Sequence, residues 1–252
     1  MATRPLCERY RPRRFGEIIG QPKTLAIIGH LQQRGGLGGR CFWITGASGT
    51  GKTSLARLLA NKVADPWNVE ELDTSDVTTK TIERIRRAMC FRGIGQKGGM
   101  AWILNESHAL TARMVQKLLT VVEPQGGLPP HVLFAMTTHE GQLKFEEVSD
   151  SVPLLSRCVR LELPRRGLAE RFAARVKQIA EPEGLDGKPL ADYIRLMKSC
   201  RNNARRPDGR RKRRDAGLTH RTYAEEPYHA NEDECDLRES IVQATRPSLS
   251  TT

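Results

Sequence analysis

Apolar residues along this chain fall into short blocks with two alternating spacings. Leu25, Ile27, Ile28 and Leu31 recur about once per helical turn and predict an amphipathic helix closing the segment from Leu6 to Gln33. Glycines at 35, 36, 38 and 39 interrupt it, and Cys41-Phe42-Trp43-Ile44-Thr45 then reads as a short buried strand. Similar strand blocks come at Val69–Leu72, Ala101–Leu104, His131–Met136 and Val159–Leu163. Helical spacing fills the intervals at Thr53–Val63, Thr78–Met89 and Thr111–Val122. Strands that alternate with helices predict an α/β domain on a mainly parallel sheet, because a parallel return needs a crossover long enough to hold a helix. Pro164 closes the last strand. Leu168, Phe172, Val176 and Ile179 then mark a helix over 168–180, and Leu190, Ile194, Leu196 and Met197 another over 189–200, a small helical domain.

After Arg205 neither period survives. Arg210-Arg211-Lys212-Arg213-Arg214 is a block of like charge, answered later by Glu232-Asp233-Glu234, and apolar residues become sparse. The expected organisation is therefore an α/β core over 1–164, a small, partial helical domain over 165–205 and a charged, disordered tail over 206–252. The abrupt loss of periodicity is also what a tail out of frame with an ancestral continuation of the helical domain would produce.

Composition adds a partner class. Lys and Arg number 41 against 29 Asp and Glu, a formal net charge of +12. The tail from Arg205 carries 10 basic and 9 acidic residues, so nearly all of the excess sits on the part expected to fold. A positive body favours a polyanion such as DNA. No run of 18 apolar residues appears and the N-terminus has no apolar signal core, so the expectation is a cytoplasmic protein without a membrane partner. The six cysteines are scattered without a C-x-x-C pair and read as reduced thiols.

The sharpest chemical signal is Gly46-Ala47-Ser48-Gly49-Thr50-Gly51-Lys52-Thr53, which fits G-x-x-x-x-G-K-[ST] between an apolar strand and a helix. Glycines let successive backbone N–H groups turn inward around a phosphate, and the start of the following helix adds partial positive charge. Lys52 is expected on the β- and γ-phosphate oxygens of ATP, and the Thr53 hydroxyl on Mg²⁺. A second apolar strand ends in Trp102-Ile103-Leu104-Asn105-Glu106-Ser107-His108, where a Walker B strand belongs. Glu106 is then the residue that polarises water. Asn105 stands where an aspartate is usual; it can reach Mg²⁺ through a water but brings no charge, which should weaken metal binding by on the order of a kcal/mol. His108, past the strand end, reads as structural.

With these two strands placed, the chain resembles the clamp-loader ATPases, a AAA+ family that includes replication factor C small subunits and the bacterial clamp-loader gamma subunit. Glu8-Arg9-Tyr10-Arg11-Pro12 with Phe15-Gly16-Glu17-Ile18-Ile19-Gly20-Gln21 is similar to that family's opening box. Glu71-Leu72-Asp73-Thr74-Ser75-Asp76 is similar to its second-strand motif, and Ala109–Val122 running into Glu123-Pro124 to its stretch after Walker B. Ala135-Met136-Thr137-Thr138 and Leu155-Ser156-Arg157-Cys158 resemble its sensor 1 strand and Ser-Arg-Cys signature.

The resemblance implies a P-loop AAA+ fold, a five-stranded parallel sheet with a small helical lid. It places Tyr10, Arg11 and Pro12 at the adenine, Thr138 or Thr137 at the γ-phosphate, Arg205 as sensor 2, and Arg157 as a finger acting in trans on a neighbour's ATP. It also implies DNA, a sliding clamp and other clamp-loader-like subunits as partners, in a homo- or hetero-oligomer. The family's helix after sensor 2 and its C-terminal collar have no counterpart after Arg205, so stable ring formation by this chain alone is not expected. The function implied is an ATP-hydrolysing clamp-loader-like protein of DNA replication. Two alternatives stay open: a nucleotide-binding structural subunit with little turnover, and a AAA+ recombination or branch-migration motor.

Overall fold

The computed structural model describes residues 6–123, 127–139, 152–185 and 187–199. The sensor 2 candidate Arg205, Pro124 and the tail over 206–252 lie outside the described residues. Strands run at Arg40–Gly46 (β1), Ala64–Asp73 (β2), Gly99–Asn105 (β3), Val132–His139 (β4) and Cys158–Leu163 (β5). Helices run at Leu6–Arg9 (α1), Pro22–Gln33 (α2), Lys52–Val63 (α3), Thr79–Ala88 (α4), Ala112–Val122 (α5), Val152–Ser156 (α6), Ala169–Ala180 (α7) and Leu190–Ser199 (α8). The chain divides into two compact units, Pro12–Arg165 and a second that joins residues up to Arg11 with those from Arg166 onward.

In the first unit the strands form one sheet in the order β2-β3-β4-β1-β5, and every pair is parallel. Side chains alternate across a strand, so each one feeds two cores. Phe42, Ile44, Ala101, Ile103, Leu133, Ala135, Leu161 and Leu163 pack on one face with Ile28 of α2 and Leu55, Ala56, Leu59 and Ala60 of α3. Trp43, Trp102, Leu104, Phe134 and Met136 pack on the other with Ile82 and Ile85 of α4, Val115 and Leu118 of α5, and Leu154 of α6. The Trp102 and Phe134 rings stack at 5.3 Å in that second layer.

Local chemistry fixes where the helices start. Thr78 caps α4 in a reciprocal capping box with Thr81, and Thr111 accepts from the Met114 N–H at the head of α5. Pro22 opens α2, and the Thr24 hydroxyl donates to the Glu162 carbonyl at 2.6 Å, tying α2 to β5.

β2 begins five residues earlier than the apolar block at Val69 predicts, with Ala64 opposite Gly99 and a register shift before Val69. Asp65 and Pro66 hide this stretch from a hydrophobic pattern, and proline is tolerated because β2 is an edge strand.

In the second unit α7 and α8 bury Phe172, Val176, Ile179, Tyr193 and Met197. Here the opening segment falls with the helices, not with the core: the Tyr10 hydroxyl donates to Glu183 at 2.7 Å and Arg9 pairs with the same carboxylate at 2.9 Å. That bond raises the Tyr10 phenol above its ordinary pKa.

Candidate functional site

The loop between β1 and α3 is shaped by its glycines. A Cβ built at Gly46 would sit 2.8 Å from the Leu163 carbonyl oxygen of β5 and 2.8 Å from the Thr50 hydroxyl, so only glycine lets the loop leave the sheet here. Gly51, the residue before α3, has φ 96° and ψ 18°, a left-handed geometry that favours glycine. The Thr50 hydroxyl and the Lys52 ammonium both donate to the Ala47 carbonyl, at 2.8 and 3.2 Å, and close the loop on itself. Lys52 is only 7% exposed. The first helical bond of α3 runs from Leu55 N–H to the Gly51 carbonyl, and the N–H groups of residues 52–54 project from the helix start ahead of it. A buried ammonium, a glycine loop with no room for a side chain at Gly46 and a helix N-terminus together fit a phosphate. Thr53, half-buried in the first turn of α3, offers the hydroxyl for a cation held by that phosphate.

Beyond β3 the backbone turns sharply. Glu106 has φ 52°, and among the described residues no other non-glycine has positive φ. Such a conformation costs roughly 1–3 kcal/mol and here opens the tight turn over Ser107–Ala109, pinned by the Ser107 hydroxyl on the Leu104 carbonyl at 3.0 Å. The Glu106 carboxylate lies 3.4 Å from His108 Nδ1 and 3.5 Å from His139 Nε2, between two imidazoles. Sequence alone assigns His108 only a structural part and does not single out His139, because the turn after β3 and the end of β4 meet only in the fold.

Asn105 is bonded through both ends of its amide. Nδ2 donates to Glu71 Oε1 of β2 at 2.7 Å, and Oδ1 accepts from the Thr137 hydroxyl of β4 at 3.0 Å. Glu71 Oε2 in turn accepts from Arg57 Nε of α3 at 2.6 Å. These residues share the α3 face of the sheet. Thr138, the sensor favoured from sequence, belongs to the opposite face by strand alternation, and its hydroxyl is buried with no hydrogen-bond partner among the described residues. Thr137 is the hydroxyl on the phosphate-loop side.

Arg157 follows α6 and precedes Cys158, which lies opposite Cys41 at the start of β1. The loop begins at Gly46, five residues along the same strand, about 17 Å away at strand rise. Arg157 donates to Glu123 at 2.5 Å and to the Pro153 carbonyl at 2.7 Å. It sits at the end of the sheet away from its own phosphate loop. Tyr10 and Arg11 lie in the second unit, where Arg11 pairs with Glu8, and Pro12 lies in the first.

Two surface features carry no sequence motif. A cavity of about 650 Å³ between α4 and α5 is lined by Arg86, Arg87, Arg113 and Lys117, with Glu83 bonded to Lys117 at 2.9 Å. Trp67 and Ile94 stand 70% and 84% exposed, and the Trp67 indole donates to the Ile94 carbonyl, so the two form an apolar patch at edge strand β2; Phe91, in the loop after α4, is 69% exposed.

Residues 42–164 match the family model of the ATPase family associated with various cellular activities (AAA), and this part of the chain is a AAA ATPase domain. Among curated proteins the chain is 33% identical over 111 residues to the replication factor C large subunit of Methanocella arvoryzae, covering 43% of this chain and 20% of that protein. It is 25% identical over 190 residues to DNA polymerase III subunit gamma of Buchnera aphidicola, covering 67% and 49%. It is 26% identical over 221 residues to replication factor C subunit 3 of Saccharomyces cerevisiae, covering 81% and 62%. The chain thus spans less than two thirds of the length of each. Among solved structures a variant of RuvB from Thermotoga maritima shares the fold, with TM-score 0.59 and 23% identity over 77% of this chain and 61% of that one. Among the described residues no helix is long and apolar enough to cross a membrane.

Proposed function

We propose that this chain binds ATP at residues 46–53 and hydrolyses it as a clamp-loader-like protein acting in DNA replication. The observation that carries the reading is the phosphate loop itself, with the buried Lys52 ammonium drawn onto Ala47 and Gly46 packed where no side chain fits. Lys52 and the N–H groups at the head of α3 hold the β- and γ-phosphates. Mg²⁺, held by the Thr53 hydroxyl and through water by Asn105, would neutralise phosphate charge. Glu106, lifted out of the sheet by its left-handed turn, orients the attacking water, and the Thr137 hydroxyl senses the γ-phosphate side.

Arg157 cannot serve its own loop from the far end of β5, which supports a trans role in a neighbour's site. Such a guanidinium is worth roughly 10³–10⁵ in rate. The basic cavity of Arg86, Arg87, Arg113 and Lys117 is a surface for a DNA backbone, in keeping with the positive body of the chain. The patch of Trp67 and Ile94 is a surface for a protein partner such as a sliding clamp or a sister subunit, a reading supported by relatives that are themselves named as subunits.

A second reading, nucleotide binding with little turnover, is favoured by one observation: the residue before Glu106 is uncharged. Steady-state ATP hydrolysis with and without primed DNA decides between them, with Lys52→Ala as the blank. Turnover above that blank and stimulated by DNA is the expected result; a rate equal to the blank, with ATP still bound, leaves the structural reading. Branch migration of a four-way junction by the purified protein would instead move the assignment to a recombination motor.

A further inference from the structure

Asn105 looks like a lost charge when β3 is read alone, but it does not stand alone. Its amide nitrogen donates to Glu71, one strand away, and its amide oxygen accepts from Thr137, one strand away on the other side. An ionised carboxylate can only accept, so Glu71 dictates the orientation: nitrogen toward β2, oxygen toward β4 and the phosphate-loop side. An aspartate at 105 would set two carboxylate oxygens, acceptors both, at the 2.7 Å now spanned by that bond, with no donor between them. Asparagine is therefore the residue that fits beside Glu71.

We propose that Glu71 carries the negative charge that an aspartate at 105 would carry, and that Asn105 relays it to the nucleotide side as an oriented, polarised amide. The charge has moved from β3 to β2. Glu71 is a positioning residue: it acts through Asn105, whose carbonyl gains electron density as its N–H groups donate to a carboxylate. Arg57, at the outer end of the chain, holds the second Glu71 oxygen with a charge-assisted bond and fixes the carboxylate in place. This inference rests on the reading of residues 46–53 as a Mg²⁺–nucleotide site.

The test uses the full chain and five proteins: the parent, Glu71→Gln, Asn105→Asp, the double variant, and Arg57→Gln. ATP affinity is measured across a Mg²⁺ series, with ADP in chelator as the metal-free reference and thermal unfolding alongside. The expected results are that Glu71→Gln loses roughly tenfold of the Mg²⁺-dependent gain in affinity but none of the metal-free ADP affinity. Asn105→Asp alone gains nothing or unfolds early, and the double variant restores the Mg²⁺ dependence. Arg57→Gln separates charge from bracing. It breaks the same chain but leaves the carboxylate, so it keeps most of the Mg²⁺ dependence that Glu71→Gln loses.

Equal losses in those two variants would make the chain a mechanical brace and overturn the proposal. So would an Asn105→Asp gain of the same size with Glu or Gln at 71, since two independent carboxylates would then add. A parent protein that takes up no ADP even without metal would remove the nucleotide-site reading itself, and this proposal with it; metal-free binding that persists while the cycle proves additive overturns this proposal alone.

Discussion

Replacing Gly46 by alanine tests the phosphate loop at its tightest point. The added Cβ would lie 2.8 Å from the Leu163 carbonyl oxygen, 2.8 Å from Thr50 Oγ1 and 3.1 Å from Leu163 Cβ. Ordinary contact needs about 3.4–4 Å, so something must move by roughly half an ångström. Neither neighbour gives easily. The Leu163 carbonyl belongs to β5, which is paired with β1 at this position, and the Thr50 hydroxyl is fixed on the Ala47 carbonyl. Relief comes either from parting the two strands at their ends or from swinging the loop outward, an overpacking cost of about 1–3 kcal/mol. For a chain of this size that lowers the unfolding midpoint by roughly 2–12 °C. A loop displaced by about an ångström loses on the order of a hundredfold in turnover. Gly51→Ala is the matched control: nothing lies within 4 Å of its Cβ, so it bears only the left-handed penalty of about 1–2 kcal/mol. Thermal unfolding by circular dichroism and titration with a fluorescent ATP analogue report the two effects. Nucleotide affinity should fall further in Gly46→Ala than in Gly51→Ala. A Gly46→Ala protein that melts with the parent and binds nucleotide as tightly would refute the steric argument.

Glu106→Gln should keep nucleotide affinity near the parent's and slow single-turnover hydrolysis by about 10²–10⁴, because it removes the base and leaves the cradle. Arg86→Ala combined with Arg113→Ala should weaken DNA binding on all sequences alike and reduce the salt slope by about one for each phosphate no longer neutralised, read by anisotropy at several salt concentrations. Phe134→Ala, emptying a fully buried position stacked on Trp102, should cost about 3–5 kcal/mol in urea unfolding followed by tryptophan fluorescence. The Lys117 hydrogen bond holds the Glu83 carboxyl below its ordinary pKa. A depressed folded-state value adds stability above the usual carboxylate range and loses it as pH falls through the folded value, so Lys117→Ala should flatten that part of the acid limb of the stability profile.

What the sequence made legible and what it hid follow one physical division. The phosphate loop, the alternation of strands and helices and the β3 terminus are local: Gly46 to Thr53 are contiguous, and each strand advertises itself by its own apolar run. The five-stranded parallel sheet agrees with the alternation of strands and helices, and residues 42–164 match the AAA family model. Side chains that meet across strands depend on register, which no local pattern carries. Thr137 and Thr138 are neighbours in sequence, and the sequence favours Thr138 as the sensor, yet the Thr137 hydroxyl faces α3 and that of Thr138 the opposite layer. Glu71 pairs in the ladder with Ile103, so Asn105 lies two residues on and returns to the same face; a shift of one residue would separate them. The β2 bulge region between Ala64 and Val69, masked by Asp65 and Pro66, is where that register is set. A neutral residue at the end of β3 therefore has no fixed meaning until the neighbour on β2 is known. With a carboxylate beside it, the same asparagine becomes one half of a charged pair, and the site's electrostatics belong to the sheet instead of the strand.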